Sequence, residues 1–429
     1  MERPFDAGYS FQSRALAQGH PERAQRVEGR PRQAVILAGG RGSRLRPLTD
    51  TTPKPMIEFH GQPFLGYLLE LLREQGFERV LLLLGYRPDV IQSYCEDGRR
   101  WGLAIDYAVS AVGDDTGRRL KLAASRVEPR FLFMYCDNYW PMSFEVMWTR
   151  YRSLNVPAML TVYRNAEGYS RDNVRVDEQG FIAVYDKERR APSLRGVDIG
   201  FGIFQHEVLD DIPDENVCFE RVIYPRLIAS RHLAAFVTDH RYYSVSSHER
   251  LPLTQRFLAR SPTVILDRDG VLNVKPPRAE YVRSWNDWQW LPGALEALRR
   301  LRETGYRVIV VSNQAGIARG AMTEADLTAV HERLKAEVEA AGGRIDAIYY
   351  CPHGWDEGCE CRKPKPGMLV AAQREFHLDL SRTPFIGDDE RDGQAADAAG
   401  CPWRRVSLQR PLLDVVHDIV GSQPECVHV

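Results

Sequence analysis

Two separate series of short apolar runs, each alternating with amphipathic stretches, constrain this 429-residue chain more than any other feature. The first series holds AVIL (34–37), VLLLLG (80–85), FLFMYCD (131–137) and AMLTVY (158–163), with the helical pattern FLGYLLELLREQG (64–76) among them. The second begins at VILD (264–267) and continues with VIVVSN (308–313), AIYYCP (347–352) and FIGDD (385–389). Its intervening stretches, LPGALEALRRLRETG (291–305) and EADLTAVHERLKAEVEAAGG (324–343), carry apolar residues at helical spacing, and each ends in glycine. Strand-length runs alternating with helices predict parallel sheets covered on both faces. A chain this long also exceeds what one core serves. The expected fold class is therefore α/β, with two doubly wound, Rossmann-like domains at 33–258 and 263–418 after an N-terminal arm (1–32). The boundary falls in FLARSPT (257–263). There is no internal repeat, because the two halves carry different motifs.

Composition narrows the function. With 27% charged residues, 44% hydrophobic residues and a net charge of -1, the chain lacks the basic balance of a general nucleic-acid or anionic-membrane binder. No apolar run reaches the length of a membrane span. The first thirty residues mix arginines with Glu2, Asp6, Glu22 and Glu28 and lack an apolar core, so they do not read as a signal or transit peptide. Eight cysteines without a secretion signal fit a reducing cytoplasm. The expected partners are small molecules, with no nucleic acid and no membrane. The oligomeric state stays open, a homodimer included.

In a doubly wound sheet, ligands bind at the carboxyl ends of the strands. In the second series Asp267 and Asp269 follow the first strand, Ser312 and Asn313 the second, and Asp388 and Asp389 a later one, with Lys363 in the loop between. This set is suited to one Mg²⁺ and one phosphate. Asp267 would attack phosphorus, and Asp269 would protonate the leaving oxygen and then activate water. Asp267, Asp269 and Asp388 would hold the metal, while Ser312 and Lys363 bind phosphoryl oxygens and Asn313 borders the substrate. A D-x-D alone reads more readily as a surface turn; the signatures at the other strand ends, in order, weigh against that. Close by, Cys351, His353, Cys359 and Cys361 place three thiols and one imidazole on a single loop, enough for a closed tetrahedral zinc site. Such a site is structural and would hold the loop that carries Arg362 and Lys363. Cys95, Cys136, Cys218, Cys401 and Cys426 are isolated and read as ordinary thiols.

The segments DRDGVLN, VVSNQAGIARG, YYCPHGWDEGCECRKPKPGM and IGDDERDGQAA together resemble the haloacid dehalogenase superfamily over roughly 263–405. More narrowly, they resemble its D-glycero-D-manno-heptose 1,7-bisphosphate 7-phosphatase and histidinol-phosphatase group. The resemblance implies Asp267 as nucleophile, Asp269 as acid and base, Asp388 as a magnesium ligand, and Arg362 and Lys363 at the substrate. Asp389 stands where the heptose enzymes more often have lysine, which bears on the sugar and not on the chemistry.

In the first half, Leu37 and Ala38 end a strand and lead into LAGGRGSRLRPLTDTTPKPM. Gly39, Gly40 and Gly42 leave backbone N–H groups open to a triphosphate, and Arg44 and Lys54 add charge. The pattern resembles the sugar-1-phosphate nucleotidyltransferases over about 33–258. Their chemistry is attack of a sugar phosphate oxygen on the α-phosphorus of an NTP, and it needs positioning and Mg²⁺. The resemblance implies Asp137 as a magnesium ligand, with Asp186, Lys187 and Gly200 beside the sugar phosphate. Three positions depart from it. VGDDTGRRLKLA (112–123) replaces a glycine-threonine-rich loop that frames the base, keeping Thr116 and Gly117 but adding two arginines. Asn138 follows the metal aspartate. Ser244, in YYSVSSHERL (242–251), replaces a second magnesium aspartate, and serine is the poorer ligand. Three readings follow: the domain is slow, another carboxylate such as Asp239 serves, or the domain binds nucleotide without turning it over.

Joined, the halves read as consecutive steps. Removing the 7-phosphate of a heptose 1,7-bisphosphate leaves a heptose 1-phosphate, the substrate type of the first domain. The resemblance implies GTP and the α-anomer, hence a GDP-heptose. Two alternatives stay open: another phosphorylated sugar or polyol activated with CTP or UTP, and a regulatory first domain. A nucleic-acid repair phosphatase fits less well, for want of a basic stripe or an aromatic stacking run.

Overall fold

The computed structural model describes residues 29–421, so most of the N-terminal arm (1–28) and Cys426 lie outside the described residues. The chain divides into two compact units between Leu258 and Ala259. Among the described residues no helix is long and apolar enough to cross a membrane.

The first unit is built on seven strands: β1 (Gln33–Ala38), β2 (Arg79–Leu84), β3 (Ala104–Val109), β4 (Arg130–Tyr135), β5 (Ala158–Tyr163), β6 (Val197–Gln205) and β7 (Leu233–Thr238). Their order is β7-β5-β6-β4-β1-β2-β3. Alternation splits β1 between two cores, with Ala34, Ile36 and Ala38 on one face and Val35 and Leu37 on the other. A central strand covered on both faces must be apolar throughout, and β1 is. Helix α1 (Phe64–Glu74) lays Leu65, Leu68, Leu69 and Leu72 on the first face.

The sheet is not wholly parallel, which corrects the expectation for this half. Strand β6 runs antiparallel to both β4 and β5. The segment between β5 and β6 forms a two-stranded ribbon, Val174–Val176 with Ile182–Tyr185, where a parallel connection would need a helical crossover to the far end of the sheet. The last residues of the expected arm are packed: Arg30 donates to the Gln75 carbonyl (2.8 Å) and lies over the Phe144 ring.

The second unit has an all-parallel sheet of β8 (Thr263–Leu266), β9 (Arg307–Asn313), β10 (Ala347–Cys351), β11 (Phe385–Gly387) and β12 (Trp403–Arg405), ordered β10-β9-β8-β11-β12. Val264, Leu266, Val308 and Val310 face one core; Ile265, Ile309 and Val311 face the other. Helix α2 (Glu324–Ala340) starts with a reciprocal capping box between Thr323 and Asp326.

Two candidate active sites

The carboxyl ends of β8, β9 and β11 bring together the residues of the first cleft. Asp267 directly follows β8 and is buried. Its Oδ1 accepts from the Arg268 N–H (2.7 Å) and from Lys363 Nζ (2.7 Å). Lys363 also pairs with Asp392 (2.7 Å), and both are almost wholly buried. Burial pushes the Asp267 carboxyl up from its ordinary range, against the pull of Lys363, and the Asp392 charge adds to the rise. Asn313 and Lys363 lock reciprocally: the Lys363 N–H donates to Asn313 Oδ1 and Asn313 Nδ2 donates to the Lys363 carbonyl, each at 3.0 Å. Asn313, expected at the substrate, thus holds the Lys363 backbone, although it also borders the cleft. Ser312 Oγ accepts from Gln314 Nε2 (2.8 Å).

The metal-capable carboxylates differ from the expected set. Oxygens of Asp267, Asp388 and Asp392 lie within 4.8 Å of one another. Asp269 does not join them, because its oxygens accept from Arg268 Nε and Nη2, Asn273 Nδ2 and Gln314 Nε2 at 2.9–3.1 Å. Burial raises the Asp269 carboxyl, but Arg268 and these amides outweigh it and hold it below the ordinary range. Asp392 went unnoticed in the sequence. The signal for it was the spacing G-D-D-x-x-D, which places Asp392 one turn beyond Asp388 on helix α3 (Glu390–Ala399). Magnesium fits here: Asp388 Oδ1 is buried without a hydrogen-bond partner. Gly270 leaves room for it, at φ +92° with its missing Cβ 2.5 Å from the Asp388 carboxyl. Asp389 caps α3 and pairs with Lys275 (3.0 Å), which also reaches Asp388 (2.8 Å). The cleft is a cavity of about 620 Å³, whose wall includes Arg278, Arg362 and Arg391.

Beside it, Cys351 ends β10, and its Sγ lies 3.6 Å from both Cys359 Sγ and His353 Nδ1; Cys361 Sγ lies 3.6 Å from Cys359 Sγ and 3.2 Å from His353 Nδ1. Tetrahedral zinc with sulfur at about 2.3 Å separates its sulfurs by about 3.8 Å, so the two 3.6 Å sulfur separations are of the size such an ion needs. Arg362 Nη1 donates to the His353 carbonyl (3.3 Å), tying the Arg362–Lys363 segment to this cluster.

In the first unit the loop after β1 opens a cavity of about 350 Å³. Leu37, Gly39, Gly40, Gly42 and Arg44 form one side of its wall, and Lys54 and Asp137 meet across it as an ion pair. Ala38 ends β1 without reaching the wall. Gly42 sits at φ +65°, where its carbonyl accepts from Thr49 Oγ1 (2.9 Å).

The expected sugar-side residues divide. Gly200, at φ +76°, packs on Tyr135, a wall residue whose ring a Cβ would strike at 2.3 Å. Lys187 Nζ meets Cys218 Sγ (3.0 Å) and buried Glu220 (3.2 Å), and Glu220 accepts from the wall residue Thr116 (3.0 Å). Asp186 is not on the wall; it accepts the N–H groups of Ala191, Arg190 and Glu188, which hold its carboxyl below the ordinary range. Asp198, missed in the sequence, accepts from the Gly200 N–H (2.9 Å), and burial pushes it up to about 6. Ser244 pairs in register with Asn138, next to Asp137, and its Oγ lies 2.8 Å from that of Ser246, which reaches the cavity. Asp239 is engaged by Arg164 (3.0 Å) and stands off the wall; the acids on it are Asp114, Asp115 and Asp137.

Two clefts built on phosphate-suited residues define a chain that joins two phosphate-chemistry domains. A nucleotidyl transferase family model matches residues 33–212, and one described as polynucleotide kinase 3 phosphatase matches 263–400. The chain is 45% identical over 141 residues to a D-glycero-β-D-manno-heptose-1,7-bisphosphate 7-phosphatase of Bordetella bronchiseptica, covering 33% of this chain and 78% of that protein. It is 46% identical over 138 residues to a protein of the same name from Pseudomonas aeruginosa, covering 32% and 76%. Through its second unit the chain belongs to this heptose-bisphosphate phosphatase family, and the first unit is a nucleotidyl transferase domain. Among solved structures, D,D-heptose 1,7-bisphosphate phosphatase from B. bronchiseptica, complexed with magnesium and phosphate, aligns at 36% identity and TM-score 0.36, covering 38% of this chain and 99% of that one. HddC from Yersinia pseudotuberculosis, complexed with GMP-PN, aligns at 23% identity and TM-score 0.45, covering 53% and 99%.

Proposed function

We propose that the chain is a bifunctional enzyme of nucleotide-sugar synthesis. It removes the 7-phosphate of a D-glycero-D-manno-heptose 1,7-bisphosphate and then transfers a nucleotidyl group, GMP from GTP, to the heptose 1-phosphate. The observation that carries this reading is the presence of two clefts, each with its own lysine–aspartate pair: Lys363 with Asp267, and Lys54 with Asp137.

In the phosphatase cleft, Lys363 and Ser312 receive the 7-phosphoryl oxygens. An Asp267 oxygen attacks phosphorus, the bond from phosphorus to the sugar oxygen breaks, and Asp269 gives that oxygen a proton. The incoming phosphate dianion offsets the Arg268 charge and so favours the proton on Asp269 beforehand. In the second step Asp269 takes a proton from water. The water oxygen then attacks phosphorus, the acyl-phosphate bond breaks, and phosphate leaves with Asp267 restored. Magnesium held by Asp267, Asp388 and Asp392 neutralises the charge of a phosphate set among carboxylates. Zinc on Cys351, His353, Cys359 and Cys361 fixes the loop that carries Arg362 and Lys363.

In the other cleft the N–H groups of the Gly39–Gly42 loop, with Arg44 and Lys54, hold the triphosphate, and Asp137 provides the metal carboxylate. A sugar-phosphate oxygen attacks the α-phosphorus, the α–β bridging bond breaks, and pyrophosphate leaves. This leaves the C1–O bond intact, so the anomer that the phosphatase accepts is the anomer activated. The named relatives carry the β-anomer in their names and the reading above implies α, so both enter the test. Asp267→Asn should abolish phosphate release from heptose 1,7-bisphosphate while pyrophosphate release from heptose 1-phosphate and GTP persists. Loss of both activities in a folded variant contradicts two sites.

A further inference from the structure

Arg119 was read in the sequence only as a departure from the expected loop, yet the fold makes it a central part of the first cleft. Its side chain is 5% exposed and borders the cavity. Nη1 donates to the Leu84 carbonyl (2.8 Å) and Ser110 Oγ (2.7 Å); Nη2 donates to the carbonyls of Ala111 (2.9 Å), Val112 (3.2 Å) and Gly39 (3.4 Å). Every one of these acceptors is uncharged. Among the described residues no carboxylate contacts it: Asp114 accepts the Ala111 N–H and Asp115 the Thr116 N–H, and both act on Arg119 only from a distance.

Two glycines clear the space. A Cβ at Gly39 or at Gly85 would stand 2.4 Å from the guanidinium. A buried cation without a contacting carboxylate is costly unless something else neutralises it. The opening beside it is the one that the glycine-rich loop lines.

The same contact orients the loop. The Gly39 carbonyl accepts from the Tyr86 N–H (3.0 Å) and, over a longer 3.4 Å, from Arg119, so the two donors together set its direction. In a trans peptide, C=O and the following N–H point in opposite directions, so the Gly40 N–H is turned away from Arg119. We propose that Arg119 is a positioning residue for polyphosphate: its buried charge is the fixed counter-ion of the bound chain, and its fork presets the Gly40 N–H. This rests on the nucleotide-binding reading of the cleft and goes beyond it, because the charge and the preset amide serve any base.

The test uses the full chain and magnesium tripolyphosphate, which carries no base. Hydrogen–deuterium exchange of peptides covering 39–45 reports this loop alone, even when the same anion also enters the phosphatase cleft. In the wild type, protection should rise with tripolyphosphate. In Arg119→Met the midpoint should move up at least about tenfold. Arg119→Lys, which keeps the charge and loses the fork, should fall between the two. Gly85 is not itself on the cavity wall, and a methyl there would press on the Arg119 guanidinium, so Gly85→Ala should also raise the midpoint, and it decides the matter if Arg119→Met does not fold. A merely structural arginine would lower the melting temperature of Arg119→Met and leave the midpoint within about twofold; that result overturns the proposal alone. A wild-type loop that tripolyphosphate never protects overturns both the proposal and the nucleotide-binding reading beneath it.

Discussion

Lys363 lies between two buried carboxylates, and its replacement by methionine tests the charge arrangement of the phosphatase cleft. The lysine is 3% exposed and pairs with Asp267 and Asp392 at 2.7 Å each. Methionine matches much of its volume and removes the charge, leaving two acids facing each other. Breaking a buried pair by removing one partner costs about 3–5 kcal/mol, since the other charge stays buried. For a unit of this size, each kcal/mol moves the midpoint by about 2–4 °C, so the phosphatase transition should fall by about 6–20 °C. Scanning calorimetry in magnesium-free buffer measures this. Adding Asp392→Asn to Lys363→Met removes the second surplus charge and should recover part of the loss, because residues that share a partner do not act additively. Magnesium should stabilise Lys363→Met more than the wild type, because the variant presents the same carboxylates without their cation. A midpoint within about 2 °C of the wild type, or a further loss on adding Asp392→Asn, would refute the reasoning.

The remaining predictions concern the other groups. Cys359→Ser should release bound zinc and lower the melting temperature of the second unit, since closed zinc sites contribute folding free energy directly; elemental analysis showing no zinc in the wild type, with unchanged melting, would speak against it. Asp198 is held near 6, so the folded state binds its proton more tightly than the unfolded chain does, and its contribution to the first unit's stability falls as pH rises from about 4 to about 6. Asp198→Asn should therefore match the wild type in melting temperature near pH 4 and exceed it by a gap that is full above pH 6; a gap independent of pH counts against the burial argument. Lys54→Ala should cut pyrophosphate release by at least about tenfold and leave phosphate release unchanged, which paired assays on one preparation would show.

The parts of this architecture that the sequence discloses are those governed by local periodicity and short spacing. β1 and the central strands β8 and β9 of the second unit show as apolar runs because strands covered on both faces have no polar side to reveal, whereas the exposed edge strand β12, WRR, shows no such run. Cys351, His353, Cys359 and Cys361 are near neighbours in the chain, so their convergence follows from spacing alone. Direction is a different matter. The run VDIGFGIFQ is apolar whichever way it points, and only the ribbon before it turns β6 antiparallel. The metal cluster was partly hidden for a related reason. D-x-D advertises Asp269, but Arg268 folds back on that carboxylate, while Asp392 enters from the first turn of α3, which Asp389 caps. Arg119 was least legible, because four of the acceptors that make its burial possible are backbone carbonyls, and carbonyls carry no sequence signature.

The central claim is that one chain carries two consecutive activities. The measurement that tests it most directly supplies the full-length protein with magnesium, each anomer of heptose 1,7-bisphosphate and each of the four NTPs in turn, following phosphate and pyrophosphate together. The account predicts phosphate release first, then pyrophosphate with GTP, and in Asp267→Asn neither product from the bisphosphate, although heptose 1-phosphate still yields pyrophosphate. Phosphate release without pyrophosphate, for every NTP and both anomers, would contradict it and leave the first unit as a nucleotide-binding module on a phosphatase.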